Sequence, residues 1–145
     1  MDYSRTRATA SAILSFTSSR LLVADSSLIV KSMNNVDLKD VFHYIDSVTN
    51  VPMVVVVLSQ GSTGKNGNIN YNLDLIAIAQ KMSDISTSLT NLNTVIDTTL
   101  EALDYQISGG VIYRYVKEQS VDIDKWSMVV GSVVSYRAED TGVSS

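Results

Sequence analysis

Few residues in this chain have types and spacing that could do chemistry. The strongest group is the stretch Gly61-Ser62-Thr63-Gly64-Lys65-Asn66-Gly67, which follows an apolar run ending at Leu58. A phosphate-binding loop also follows a strand, because its glycines let backbone N–H groups cradle an anion at a helix N-terminus. Here Ser59 stands where the first glycine belongs, and Asn66 replaces the Ser or Thr that would hold magnesium. The residues that follow alternate as a strand and do not open a helix, so a turn-rich hairpin loop is the better reading. His43 is the single histidine; alone it makes no metal cluster, and no nucleophile is flagged beside it. Asp122 and Asp124 lack the oxygen-rich spacing of a calcium loop and read as solvated turn residues. We therefore assign no catalytic residue, no cofactor-binding residue and no metal ligand, and read the chain as something other than an enzyme.

The elements around these residues are more legible. Asn35 or Asp37 can cap a helix with Leu38, Val41, Phe42, Ile45 and Val48 on one face. Pro52 then forces Val51 out of the helical region. The run Met53-Val54-Val55-Val56-Val57-Leu58 is β-branched and predicts a strand buried on both faces. Ile69, Tyr71, Leu73 and Leu75 alternate with polar residues, which gives a second strand, and at Ile76 and Ile78 the other face turns apolar too. Residues 80–84 form a loop. From about Ser86, the residues Leu89, Leu92, Ile96, Leu100 and Leu103 define one helical stripe, with Ser83, Asp84 and Ser86 as capping candidates. Gly109 and Gly110 close the next loop. Residues 111–118 and 127–137 make a second hairpin across a polar turn at 122–125, and Gly131 suggests a bulge or a close backbone approach.

The expected fold class is α+β: a four-stranded antiparallel sheet, β-hairpin, helix, β-hairpin, with helices packed on one face. A helical or extended N-terminal segment precedes it. Residues 1–145 form one domain, with an arm or helix at 1–33, the core at 35–138 and a frayed tail at 139–145. Within 1–33, Ala12, Ile13, Phe16 and Arg20 could share a helical face. Residues 21–24 and 28–30 read as two short extended pieces about the turn Asp25-Ser26-Ser27. A helix followed by a small hairpin and an arm that orders on a partner both fit.

Composition narrows the function. The chain has 145 residues, 45% of them hydrophobic, and a formal net charge of −4, with a pI near 4.7. The 11 Lys and Arg residues form no run, so sequence-independent grip on nucleic acid is not expected. No apolar run approaches the roughly 20 residues of a membrane span, and residues 8–19 are too rich in Ser and Thr for a signal peptide. Cysteine is absent, which excludes disulfides and thiolate metal sites. Trp126 and the tyrosines Tyr71, Tyr105, Tyr113, Tyr115 and Tyr136 read as core packing, or as subunit contacts where such side chains are enriched. Arg114 and Lys117 could form ion pairs across such a contact, or lie on a solvated face.

The succession Asn50-Val51-Pro52, apolar strand, loop, alternating strand, long helix and hairpin resembles the tail terminator proteins of long-tailed bacteriophages. It covers about residues 35–138. What the resemblance implies is a structural virion protein, assembled in the host cytoplasm, that forms a homo-oligomeric ring, a hexamer in that family. The ring would end the tail tube, join it to the head-side connector, and let DNA pass through its lumen without specific binding. The loop 60–68 is then expected to project towards a neighbouring ring. Gln60, Gly61, Gly64, Lys65, Gly67, Arg114 and Lys117 are the candidate interface residues. Another connector, neck or baseplate assembly protein is the alternative, and a small nucleotide-binding domain a more distant one.

Overall fold

A computed structural model describes residues 9–63 and 69–141. Its elements run α1 (Ala10–Ala24), β1 (Ile29–Asn34), α2 (Leu38–Ile45), β2 (Met53–Thr63), β3 (Ile69–Gln80), α3 (Ile85–Leu103), β4 (Ile107–Ser108), β5 (Val111–Ser120) and β6 (Val129–Asp140). All six strands join one sheet in the order β1-β2-β3-β6-β5-β4. β1 lies parallel to β2, and every other pairing is antiparallel. The class is α+β, but the sheet is a six-stranded mixed one and not the four-stranded antiparallel sheet expected from the sequence.

The expectation failed at β1. Its sequence, Ile29-Val30-Lys31-Ser32-Met33-Asn34, is too polar to stand out, because an edge strand buries little. It pairs parallel to β2, and a parallel pair needs a crossover of a dozen residues or more. Residues 35–52, with α2 inside them, supply that crossover. Neither are residues 21–24 extended: α1 runs to Ala24, with Thr9 accepting a capping bond from the Ala12 amide at 3.1 Å. Its buried stripe, Ile13, Thr17 and Leu21, recurs every fourth residue, and the Thr17 hydroxyl bonds back to the Ile13 carbonyl at 2.8 Å. Tertiary packing of that stripe overrides the weak helix propensity of its Ser and Thr neighbours.

The helices lie on both faces, which corrects the one-face arrangement. Alternation in β2 makes the two layers. Val54, Val56 and Leu58 enter the larger core with Ile13 and Leu21 of α1, and Leu92, Ile96 and Leu103 of α3. Met53, Val55 and Val57 face the smaller core with Val41 and Ile45 of α2, and Trp126. The predicted burial of the valine run on both sides follows from this sandwich. In α3 the buried stripe is Ser88, Leu92, Val95, Ile96, Thr99, Ala102 and Leu103, whereas Leu89 is 44% exposed. Asp84 is the cap: its carboxylate accepts from the Ser86 amide at 3.1 Å. On α2, Asp37 occupies the N-cap position without a side-chain capping bond.

The β2–β3 hairpin is longer than its glycines suggested. Gln60 and Gly61 lie inside β2, which continues to Thr63 through a register shift. A side chain at Gly61 would stand 2.9 Å from the Asn70 carbonyl oxygen, so a close backbone approach explains this glycine. Beyond the buried Leu58 and Leu73 the ribbon is only partly covered. At the other end of the chain, β6 extends through Asp140, and the Thr141 amide bonds to the Gly110 carbonyl at 2.8 Å. Of the expected tail, residues 139–141 are thus tied to the sheet, and residues 142–145 lie outside the described residues.

Candidate functional site

The sheet leaves two edges unpaired among the described residues, β1 at one end and most of β5 at the other. β4 covers only the start of β5, pairing Ile107 with Ile112 and Ser108 with Val111. The turn between them is Gly109-Gly110, with φ of 59° and 77°. Beyond that turn, residues 114–120 are exposed. Which backbone groups face outwards follows from the ladders. The Val121 amide bonds to the Gly131 carbonyl at 3.1 Å, so on strand alternation 117, 119 and 121 point at β6 while Glu118 and Ser120 point away. A bulge between Tyr115 and Lys117 resets the alternation, and Tyr115 also points away. On β1, the Ile29 amide bonds to the Pro52 carbonyl at 3.1 Å and the Asn35 amide to the Leu58 carbonyl at 2.7 Å. Val30, Ser32 and Asn34 therefore carry the outward N–H and C=O groups.

Beside the start of the open β5 edge lies a cleft of about 880 Å³, lined by Leu100, Asp104, Tyr105, Ile107, Tyr113 and Tyr115 among others. Its rim is apolar and exposed: Tyr105 96%, Ile107 67% and Tyr115 52%. Tyr105 also holds a left-handed backbone, φ 60°, uncommon for a bulky residue. Deeper in, Tyr113 stacks on Phe16 with ring centroids 4.9 Å apart. Tyr115 meets Tyr136 edge-on at 5.8 Å, and the Tyr136 hydroxyl donates to the Asp104 carboxylate. Of the aromatics read as core or contact, Trp126, Tyr113 and Tyr136 are core, while Tyr105 and Tyr115 stand at the surface.

Burial pushes the Tyr113 phenol up, and burial followed by the Asp104 bond pushes up that of Tyr136. An acid whose folded pKa lies above its unfolded value stabilises the fold below the unfolded pKa, about 10 for tyrosine. That contribution is lost as pH rises beyond it. The urea midpoint should therefore hold steady up to about pH 10 and fall above it. Tyr136→Phe should flatten the alkaline fall, as urea titrations across that range would measure.

The sequence-predicted residues are not brought into one place. Arg114 lies on β5 and pairs within the chain, its Nε 2.8 Å from Glu139. Arg137, directly opposite Arg114, reaches the same carboxylate at 3.5 Å, so Glu139 separates two like charges on neighbouring strands. Lys117 is exposed on β5 and registers with Ser135. Gln60 and Gly61 sit on the β2–β3 ribbon, and Gly64, Lys65 and Gly67 lie outside the described residues. The next element after β2 is the strand β3, so among the described residues no helix N-terminus stands where a phosphate-binding loop requires one. His43 is exposed in the last turn of α2. Asp122 closes a turn, accepting from the Asp124 amide at 3.0 Å. Among the described residues no group of three His, Cys, Asp or Glu could hold a metal ion, and no helix is long and apolar enough to cross a membrane.

Exposed sheet edges were expected from the sequence, but not that β1 and β5 form them. The one available signal was the mix in Arg114-Tyr115-Val116-Lys117-Glu118, where charges stand among β-formers as on edge strands. No protein-family model matches the chain, and no curated protein sequence matches it.

Proposed function

We propose that this protein is a structural ring subunit of a phage neck, ending the tail tube and joining it to the head-side connector. The observation that carries the reading is one sheet with two unlike open edges at opposite ends. An edge is a template for another strand. Two different edges on one chain make head-to-tail, heterologous contacts, which close into a ring when the rotation permits. The resemblance in element order points the same way. The protein works by assembly and not by turnover, and its acidic balance suits a lumen through which DNA slides without being held.

The partly covered end of the β2–β3 ribbon is the part that reaches a neighbouring ring, with Gln60 and Gly61 on its described strands. Deleting residues 62–67 should leave the far-ultraviolet circular dichroism and the number of subunits per ring, read from its solution mass, unchanged. Joining should be lost: purified tube protein polymerised with the deleted variant should give uncapped tubes of unrestricted length in negative stain, where the full chain caps them. Capping by the deleted variant equal to that of the full chain would refute this role for the ribbon. Another connector or baseplate protein is the second reading, and which ring the chain occupies in a particle reconstruction separates the two.

A further inference from the structure

We infer that the subunits join by β1 of one copy pairing antiparallel with the open edge of β5 in the next, with Ser32 opposite Glu118. This seam rests on the ring reading and names the surfaces it uses. Strand direction comes first. β1 and β2 run together, β3 runs against them, β6 reverses again, and β5 therefore runs opposite to β1. Copies related by rotation about an axis along the strands keep those directions, so the β1 of one meets the β5 of the next antiparallel.

Backbone parity comes second. The outward groups belong to Val30, Ser32 and Asn34 on one edge, and to Glu118 and Ser120 beyond the bulge on the other, as derived above. A hydrogen-bonded ladder must match outward residues with outward residues. Pairing Ser32 with Glu118 and Val30 with Ser120 does so.

Face matching follows from strand direction and parity, because for L-residues these fix the side to which each side chain points. Ser32 lies under α1, its hydroxyl 3.0 Å from that of Ser18. Glu118 and Ser120 register with Val134 and Ser132, and Val134 belongs to the same α1–α3 core. The joined sheet thus carries α1 and α3 of both copies on one side.

Charge and strand length choose among the remaining registers. With Ser32 opposite Glu118, Lys31 meets Gln119 and Met33 lies against the aliphatic stem of Lys117. Sliding β1 by two residues one way sets Lys31 directly opposite Lys117, which like charges disfavour. Sliding it the other way carries residues 29–31 past Ser120, where β5 ends, and shortens the seam. Self-pairing of β5 centred on Glu118 or on Lys117 likewise sets like charges face to face. The seam ends at the Val116 bulge, and the neighbour's chain beyond Asn34 then brings its exposed Val36 towards the cleft rimmed by Tyr105, Ile107 and Tyr115.

The absence of cysteine makes the test clean. Met33 and Lys117 would form a non-hydrogen-bonded pair, whose Cβ atoms come within about 4.5–5.5 Å, close to disulfide range. Met33→Cys with Lys117→Cys in one chain, oxidised at the concentration where light scattering shows the ring, should give a non-reducing ladder ending in a band at the ring's mass. Either cysteine alone should leave protomers. Gln119→Lys, which sets a second cation against Lys31, should weaken assembly, and Lys31→Glu should restore it. A ring that forms but is not cross-linked by the pair overturns the seam and leaves the ring reading standing. Dimers from Lys117→Cys alone do the same by showing β5 self-pairing. A chain monomeric at every concentration overturns both.

Discussion

Replacing Trp126 by alanine is expected to cost about 3–5 kcal/mol of folding stability, near the top of the range for single core substitutions. Trp126 is 2% exposed and lies in the turn between β5 and β6, where it ties α2 to β6. Its Nε1 donates to the Phe42 carbonyl at 2.8 Å, where α2 nears its end. Its ring meets that of Phe42 edge-on at 5.3 Å. A Cβ at Gly131 of β6 would lie 2.7 Å from the same indole, so the strand and the ring are in direct contact. Alanine removes the indole, empties the centre of the smaller core and leaves the Phe42 carbonyl with only the Asp46 amide, at 3.3 Å, as donor. Gly131→Ala should also destabilise, by about 1–3 kcal/mol, because the ring and the Ala77 carbonyl at 3.1 Å leave the new methyl no room. Urea denaturation monitored by circular dichroism measures both. A Trp126→Ala cost under about 1 kcal/mol would mean that α2 is not anchored through this residue.

The second large effect falls on assembly and not on folding. Glu118→Pro removes an N–H that points away from β6, a place where an edge strand accepts proline. The monomer should keep its sheet, while ring formation should weaken at least about tenfold, or 1.4 kcal/mol per seam. Gln119→Pro is the control. Its N–H faces β6, so proline there breaks the internal ladder and should unfold the β5–β6 hairpin. Sedimentation for assembly and thermal melting for the fold separate the two variants. If Glu118→Pro assembled like the unaltered chain, this edge would not be a subunit contact.

Arg114 and Lys117 show how much of a site can be read from residue type. Their placement on a strand was legible, because 111–118 is rich in β-formers. Their separate circumstances were not. Arg114 is tied to Glu139 across the sheet, while Lys117 follows the bulge with no ion pair among those described. Gly61 is the converse case: its sequence context said loop, and the nearness of the Asn70 carbonyl makes it strand.

Local signals in the chain determined those features that depend on neighbours in sequence. The alternation of β3, the doubly buried valine run of β2, the Asp84 cap and the turn at Asp122 all arise from periods of two or 3.6 and from side chains that bond their own backbone. Tertiary structure alone decided that β1 joins parallel to β2, that α2 and Trp126 cover the opposite face from α1 and α3, and that β4 stops short along β5. Those outcomes depend on which distant segments pair and on how far a covering element reaches, and no window of the sequence records either distance. Which strands form the open edges, and with them the proposed surfaces for assembly, belongs to this second group.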